Sequence, residues 1–254
     1  MQRSSDKIPF ALRTLLICLI VMGVVFRFVN LNHKVYWHDE VYTSLRAAGY
    51  TRSEIDQEIY QNQIIPAQSL QRFQQIKPGS TATDTVRSLI LEDPQHPPLY
   101  FLMTRGWMQG FGDFLAQTFY SPLTTFRSLP TLLRLLSLPL MYALAWELFA
   151  SRTASLLATA FLAVSPFDVL FAQTARQYGL LTTMVIASQW LLLRSLRHSS
   201  WHWGLYALSV ALGLYTHPFF GLTIAAQVAF VGLKSYADRR SKLTSLRVFG
   251  LSLV

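Results

Sequence analysis

The chain has 254 residues, of which 52% are hydrophobic and only 14% charged, whereas about 25% charged residues is usual for a soluble domain. With a mean hydropathy of +0.30, this argues against a soluble protein and excludes disorder, since disordered chains are poor in apolar residues. The single cysteine, Cys18, rules out an internal disulfide framework or a cysteine-based zinc site, and the formal charge of +9 fits a nucleic-acid or a membrane partner depending on where the charges fall.

The first apolar run, Ile8 to Val29, is interrupted only by Arg13 and Arg27. It is long enough to cross a bilayer core, which takes about 20 residues. No small-residue cleavage site follows, so residues 1–29 read as an uncleaved anchor. Residues 30–126 are polar and too long for an idle connector. They are expected to form a loop outside the membrane, with amphipathic surface helices over Ser53–Ile76 and Pro97–Phe119. The second of these starts on a Pro-Pro pair suited to a helix N-terminus. From residue 127 onward the sequence becomes a ladder of apolar blocks: Leu129–Phe149, Thr153–Phe167, Tyr178–Leu193, Trp203–Tyr215, Pro218–Leu233 and Leu246–Val254. Several are short for a span, which tilted or re-entrant helices tolerate. The expected fold is an all-α, polytopic membrane helix bundle, and the brevity of the last block reads as truncation at the C-terminus.

Charge fixes the expected orientation. With the N-terminus cytoplasmic and Pro97–Phe119 lying on the surface, the inner segments hold 11 of the 22 basic residues. The outer 30–126 region carries 7 basic and 9 acidic residues. This satisfies the excess of Lys and Arg in cytoplasmic loops. Making Pro97–Phe119 a span would place Arg194, Arg197 and the Lys234–Arg247 cluster outside. The basic excess therefore reports membrane orientation, and no nucleic-acid motif is present.

No P-loop, GxGxxG, HExxH or CxxC occurs. The candidate chemistry lies in polar residues at helix ends. Trp37-His38-Asp39-Glu40 follows the first span, and its carboxylate pair can hold a divalent cation or take a proton from an acceptor, or be an ordinary acidic turn. His96 precedes the Pro97-Pro98 helix start and is a metal ligand, a phosphate contact or a loop histidine. Arg176 and Tyr178 sit in an outer turn. Arginine there snorkels or meets a lipid phosphate, which its guanidinium matches geometrically. His217 at the next outer turn and Arg127 at the start of a span are further candidates. Asp39, Glu40, His96, Arg127, Gln173, Arg176 and His217 come from five segments but share one expected side, which points to a site.

The order of motifs resembles the N-terminal half of GT-C fold glycosyltransferases, in particular family 39, related to protein O-mannosyltransferases and bacterial aminoarabinose transferases. The matching pieces are Trp37-His-Asp-Glu40-Val-Tyr42, His96-Pro-Pro-Leu-Tyr100, Arg127-Ser-Leu-Pro130, Ser165-Pro166, Ala175-Arg176-Gln-Tyr178 and Tyr215-Thr-His217. They cover about residues 10 to 235. The resemblance implies an integral membrane enzyme that moves a sugar from a polyprenyl-phosphate carrier to an acceptor hydroxyl on the extracytoplasmic side. Asp39 would be the base, with Glu40 beside it. Arg176, then Arg127, would stabilise the leaving phosphate, with Tyr178, His96 and His217 as substrate contacts. Glu40, His96 and His217 are the candidates for a divalent metal ion. Related sequences often carry an acid where this chain has Gln173, which puts a second carboxylate there in question. The sugar and the acceptor stay open. The absence of an Asn-x-Ser/Thr sequon in the outer loop favours a bacterial plasma membrane. The competing reading is a non-catalytic or truncated membrane protein of the same fold.

Overall fold

The computed structural model describes residues 8–119, 121–198, 201–237, 250 and 252. Twelve α-helices and one 3₁₀ segment occupy them, and no strand occurs among the described residues. The expected all-α membrane bundle is therefore what the chain forms. Most of the last apolar block, Leu246–Val254, and most of the Lys234–Arg247 cluster lie outside the described residues.

Helix α1 (Phe10–Phe28) is followed by a layer of shorter elements: α2 (His38–Ala48), α3 (Arg52–Ile59), the 3₁₀ segment Ala67–Gln74, α4 (Ala82–Glu92) and α5 (Leu99–Phe119). The bundle continues with α6 (Pro122–Leu135), α7 (Ser137–Phe149), α8 (Arg152–Val164), α9 (Pro166–Ala172), α10 (Tyr178–Arg197), α11 (Trp201–Thr216) and α12 (Phe220–Ala237). Four segments are long and apolar enough to cross a membrane: α1, α6 with α7, α10 and α12. The α8–α9 pair, bent by 60°, makes a fifth if taken as one broken span. Helix α5 is not among them.

Two expectations are revised. The stretch Ser53–Ile76 is not one helix. It divides into α3 and the 3₁₀ segment, because Pro66 lies between and cannot continue a helix from its N-terminal side. Helix α4, over 82–92, was not anticipated. Its N-terminus is closed by Asp84, whose carboxylate accepts from the Thr81 backbone N–H at 2.7 Å, the local pattern of a capped helix start.

The bundle buries several charged side chains while leaving much apolar surface exposed. Leu15, Val21 and Val25 of α1 and Leu222 and Leu233 of α12 are exposed, while Arg27, Arg127, Arg134 and Asp168 are buried. Water-exposed apolar faces of this extent would be unstable, whereas in lipid such faces are the favoured surface. Close packing seats α1 on α8, since a Cβ at Gly23 would lie 2.3 Å from the Ala163 carbonyl oxygen. Arg27 reinforces this, donating to the Gly23 and Ala163 carbonyls at 2.7 and 2.6 Å.

Arg27 and Arg134 both pair with Asp168 on α9, Arg134 through Nε at 2.7 Å. Asp168 thus ties α1, α6 and the bent α8–α9 turn together. Just beyond it, the Gln173 amide donates to the Phe26 and Val29 carbonyls at 2.6 and 2.8 Å. These are carbonyls at the C-terminal end of α1, which need donors. An acid at 173 could not supply them, so the glutamine fits its place.

The chain alternates between the two ends of the bundle. One end gathers the start of α2, the turn before α5, the α9–α10 turn and the α11–α12 turn. The other end gathers Glu147, Arg194 and Arg197, with Arg197 on Glu147 at 2.9 Å.

Candidate functional site

The first of these ends holds a cavity of about 870 Å³, lined among others by His38, Asp39, Tyr42, His96, Phe101 and Arg176. Helix α2 supplies its acid. Trp37 is extended before the helix, and its N–H donates to the Glu40 carboxylate at 3.2 Å. The acids at positions 39 and 40 fall in the first turn, where the helix dipole favours negative charge. Gly49, at φ +92°, ends the helix in the left-handed region open to glycine.

Consecutive helical residues point about 100° apart, and this divides the two acids. Glu40 turns inward. Its carboxylate takes Arg127 Nε and Nη2 at 2.9 and 2.7 Å, a bidentate pair, and the Ala175 backbone N–H at 2.8 Å. Arg127 uses its remaining donors on the Leu31, Lys34 and Val35 carbonyls at 2.7, 3.2 and 2.9 Å. Both side chains are almost wholly buried. Glu40 and Arg127, two of the expected reacting and phosphate-binding groups, therefore occupy one another, and what they hold in place is the α2 start against the Arg176 turn.

Asp39 turns to the cavity and is 31% exposed, enough to meet a ligand. Opposite it stands Arg176, whose Nη2 lies 3.7 Å from the Asp39 carboxylate. Arg176 Nη1 reaches the Asp39 carbonyl at 3.4 Å and the Thr43 hydroxyl at 3.2 Å, while its buried Nε has no partner in the protein. The guanidinium is thus held loosely, with donor capacity left over.

Two histidines stand near Arg176, His96 in the cavity lining and His217 beyond it. The Gln177 amide nitrogen lies 3.1 Å from His96 Nδ1, and the Phe219 backbone N–H donates to His217 Nδ1 at 3.1 Å. In His217 the accepting Nδ1 fixes the neutral tautomer that carries its proton on Nε2. The two rings are 6.4 Å apart, and Tyr178 is 6.2 Å from His217. The Arg176 guanidinium lies 5.7 Å from the Tyr178 ring centroid. Burial, and then the neighbouring Arg176 charge, holds both imidazoles below their ordinary pKa of 6.5. Beside the cavity acid there thus stand one guanidinium and two imidazoles held toward the neutral form, groups that can donate to an anion.

The three metal candidates do not converge. Glu40 is taken by Arg127, and His96 and His217 stand beside a guanidinium. No group of three or more His, Cys, Asp or Glu among the described residues is placed to hold a metal ion.

The sequence anticipated Asp39, His96, Arg176, Tyr178 and His217; the first three line the cavity, and Tyr178 and His217 neighbour Arg176 and His96 without lining it. It missed Asp168, Arg134 and Arg27, although each is an ionisable residue within an apolar stretch, which is itself a signal. It also missed Arg46, buried on α2 and held by Glu92 at 2.5 Å and Asp93 at 2.7 Å.

No curated protein and no solved structure gives a match. A family model described as dolichyl-phosphate-mannose-protein mannosyltransferase matches residues 95–254, more than half of the chain. His96, Arg127, Arg176, Tyr178 and His217 all lie within that match, in turns or at helix starts gathered at one end of an apolar bundle. On these grounds the chain belongs to the dolichyl-phosphate-mannose-protein mannosyltransferase family and is a multi-pass membrane glycosyltransferase.

Proposed function

We propose that this protein transfers a sugar from a polyprenyl-phosphate carrier to an acceptor hydroxyl, with Asp39 as the base. The observation that carries the reading is the pairing of a partly exposed carboxylate with an underused, buried guanidinium across one cavity at a bundle end. The family description, with its lipid-phosphate-linked mannose donor, supports the same chemistry.

In this mechanism the carrier phosphate docks on Arg176, with the imidazoles of His96 and His217 as further donors. It replaces Asp39 as the partner of Arg176 and frees the carboxylate. Asp39 then takes the proton of the acceptor hydroxyl as its oxygen attacks the anomeric carbon. The bond from that carbon to the phosphate oxygen breaks, and the electron pair leaves with the phosphate. Arg176 stabilises the charge that develops there, and preorganised donors of this kind are among the largest contributors to catalysis. Glu40 and Arg127 hold α2 and the Arg176 turn in register. No step passes through a metal ion. The site would face the extracytoplasmic side of a bacterial plasma membrane, with the N-terminus in the cytoplasm. The distribution of Lys and Arg supports that orientation, and the sequon-free outer loop supports that membrane.

The test is sugar transfer by the full chain in lipid nanodiscs, supplied with radiolabelled polyprenyl-phosphate-mannose. Asp39→Asn is expected to lower transfer by about 10²–10⁴-fold while donor binding persists. Arg176→Ala is expected to weaken donor binding as well. Undiminished transfer by Asp39→Asn would overturn the assignment.

A further inference from the structure

The Arg176 guanidinium is weakly held, so its place is set by its backbone. Its contacts to the Asp39 carbonyl and the Thr43 hydroxyl are long, at 3.4 and 3.2 Å. The residue lies in the turn Gln173–Gln177, between the end of α9 and the start of α10. This turn is irregular, with the Arg176 N–H donating to the Thr174 carbonyl only two residues back, at 2.7 Å. A segment of this kind is placed by the side chains around it.

Helix α6 supports the turn from behind. The Thr131 hydroxyl lies 2.9 Å from the Ala172 carbonyl, and Arg134 Nη1 donates to the Tyr178 carbonyl at 3.1 Å. The Thr183 hydroxyl, further along α10, lies 2.9 Å from the Leu133 carbonyl. A Cβ at Gly179 would stand 3.2 Å from the Pro130 carbonyl oxygen and 3.9 Å from the Arg134 Cβ, so the two helices meet closely here. Residues 131 and 134 thus grip Ala172 and Tyr178, the two flanks of the turn, with Arg176 between them. Arg134 is the costly member of this pair. It is buried with Arg27 against one carboxylate, Asp168. Two guanidinium groups on one acid leave a surplus positive charge in the interior, and an uncompensated buried charge is destabilising. Arg27 gives its other donors to the Gly23, Ala163 and Leu162 carbonyls, where α1 packs on α8. Arg134 faces the turn instead. Its Nε and Nη2 are fixed on Asp168, which sets the plane of the guanidinium and aims Nη1 at Tyr178.

We infer that Arg134, oriented by Asp168, is a positioning residue for Arg176; the inference rests on the proposed docking of the carrier phosphate on Arg176. Arg134 does not line the cavity, so it acts through the turn, by fixing the start of α10 from which Arg176 and the phosphate meet. The surplus buried charge is then the cost of a donor placed at the one backbone carbonyl that closes the turn.

The test is equilibrium binding of radiolabelled farnesyl phosphate, an isoprenyl phosphate without sugar, to the full chain in phosphatidylcholine nanodiscs, with empty nanodiscs as the blank. Asp168 keeps Arg27 as its partner when Arg134 is removed, so Arg134→Gln is expected to fold and to melt cooperatively. It is expected to weaken binding about 3- to 10-fold, the range of one hydrogen-bonding contact. In an Arg176→Ala background the same change is expected to weaken it less than about 2-fold, because residues that act through one another are not additive. Arg134→Lys keeps the charge but loses the fork that joins Asp168 to Tyr178. The same pattern is expected from it, and it carries the test if Arg134→Gln fails to melt cooperatively. Arg27→Met removes the other partner of Asp168, and none of the carbonyls that Arg27 holds lies in the turn; binding is expected to persist. An equal loss in both backgrounds, no loss in either, or an equal loss from Arg27→Met overturns the inference and leaves the proposed function standing. If Arg176→Ala alone leaves binding unchanged, the phosphate assignment falls and the inference with it, so that single variant tells the two failures apart.

Discussion

At the scale of single residues, two adjacent carboxylates have different tasks because the helix aims them apart. Asp39 meets the cavity, and Glu40 meets a buried arginine. Glu40→Gln is expected to destabilise the protein by about 3–5 kcal/mol, the cost of leaving a buried arginine without its counter-ion, read as a lower Tm. Glu40→Gln with Arg127→Met should recover much of that stability. Asp39→Asn should leave Tm unchanged, and a large fall in its Tm would return Asp39 to a structural role. The two histidines add a pH dependence. Each has its pKa lowered on folding by burial and by Arg176, so the unfolded chain binds the extra protons first. Their contribution to stability is full above about pH 6.5 and is lost as pH falls through the lowered folded value. A Tm series from pH 8 to pH 5 should fall on the acid side, and less steeply in a His96→Gln, His217→Gln variant. The residue types of the site were legible in the sequence because Asp, His and Arg at the ends of apolar runs are costly to keep near lipid unless they meet a partner or a ligand. The division of labour between positions 39 and 40 was not, since it depends on a partner 87 residues away.

At the scale of elements, the long spans were legible because apolar length is a strong local signal. The loop between them was not. Helix α3 and the 3₁₀ segment replace one expected helix, and the contacts that fix them, such as Glu92 on the Arg52 N–H, are distant in sequence. The Gln173 position shows the same limit. Read along the chain it is a missing acid, whereas in three dimensions it is the donor for two carbonyls at the end of α1. Gln173→Glu should therefore cost about 1–3 kcal/mol, the penalty for unmet buried polar groups, and should lower Tm without raising transfer. An equal or higher Tm would show that the amide does not hold that helix end.

At the scale of the whole molecule, the alternation of chain direction places Asp39, His96, Arg176 and His217 at one end and Glu147, Arg194 and Arg197 at the other. Cys18 is the sole cysteine of the sequence, so a Cys18→Ser background permits labelling of single introduced cysteines. Tyr60→Cys is expected to react with a membrane-impermeant maleimide from outside intact cells. Tyr236→Cys, exposed near the end of α12, is expected to react only after the membrane is opened. Labelling of both from the same side would contradict the alternation. The apolar character that makes a membrane topology workable was already visible in composition, while the cavity was not, because that depends on how separate segments meet.

Gly213, one turn before His217, has the Phe220 ring where a Cβ would stand, at 2.4 Å. The hairpin between α11 and α12 closes only because that position carries no side chain, and Phe219, whose N–H sets the His217 tautomer, sits next to the ring that fills the gap. Selection on the imidazole thus reaches back to a residue with no chemistry of its own. Among descendants of this sequence, loss of the glycine should be tolerated chiefly where the phenylalanine has shrunk in compensation.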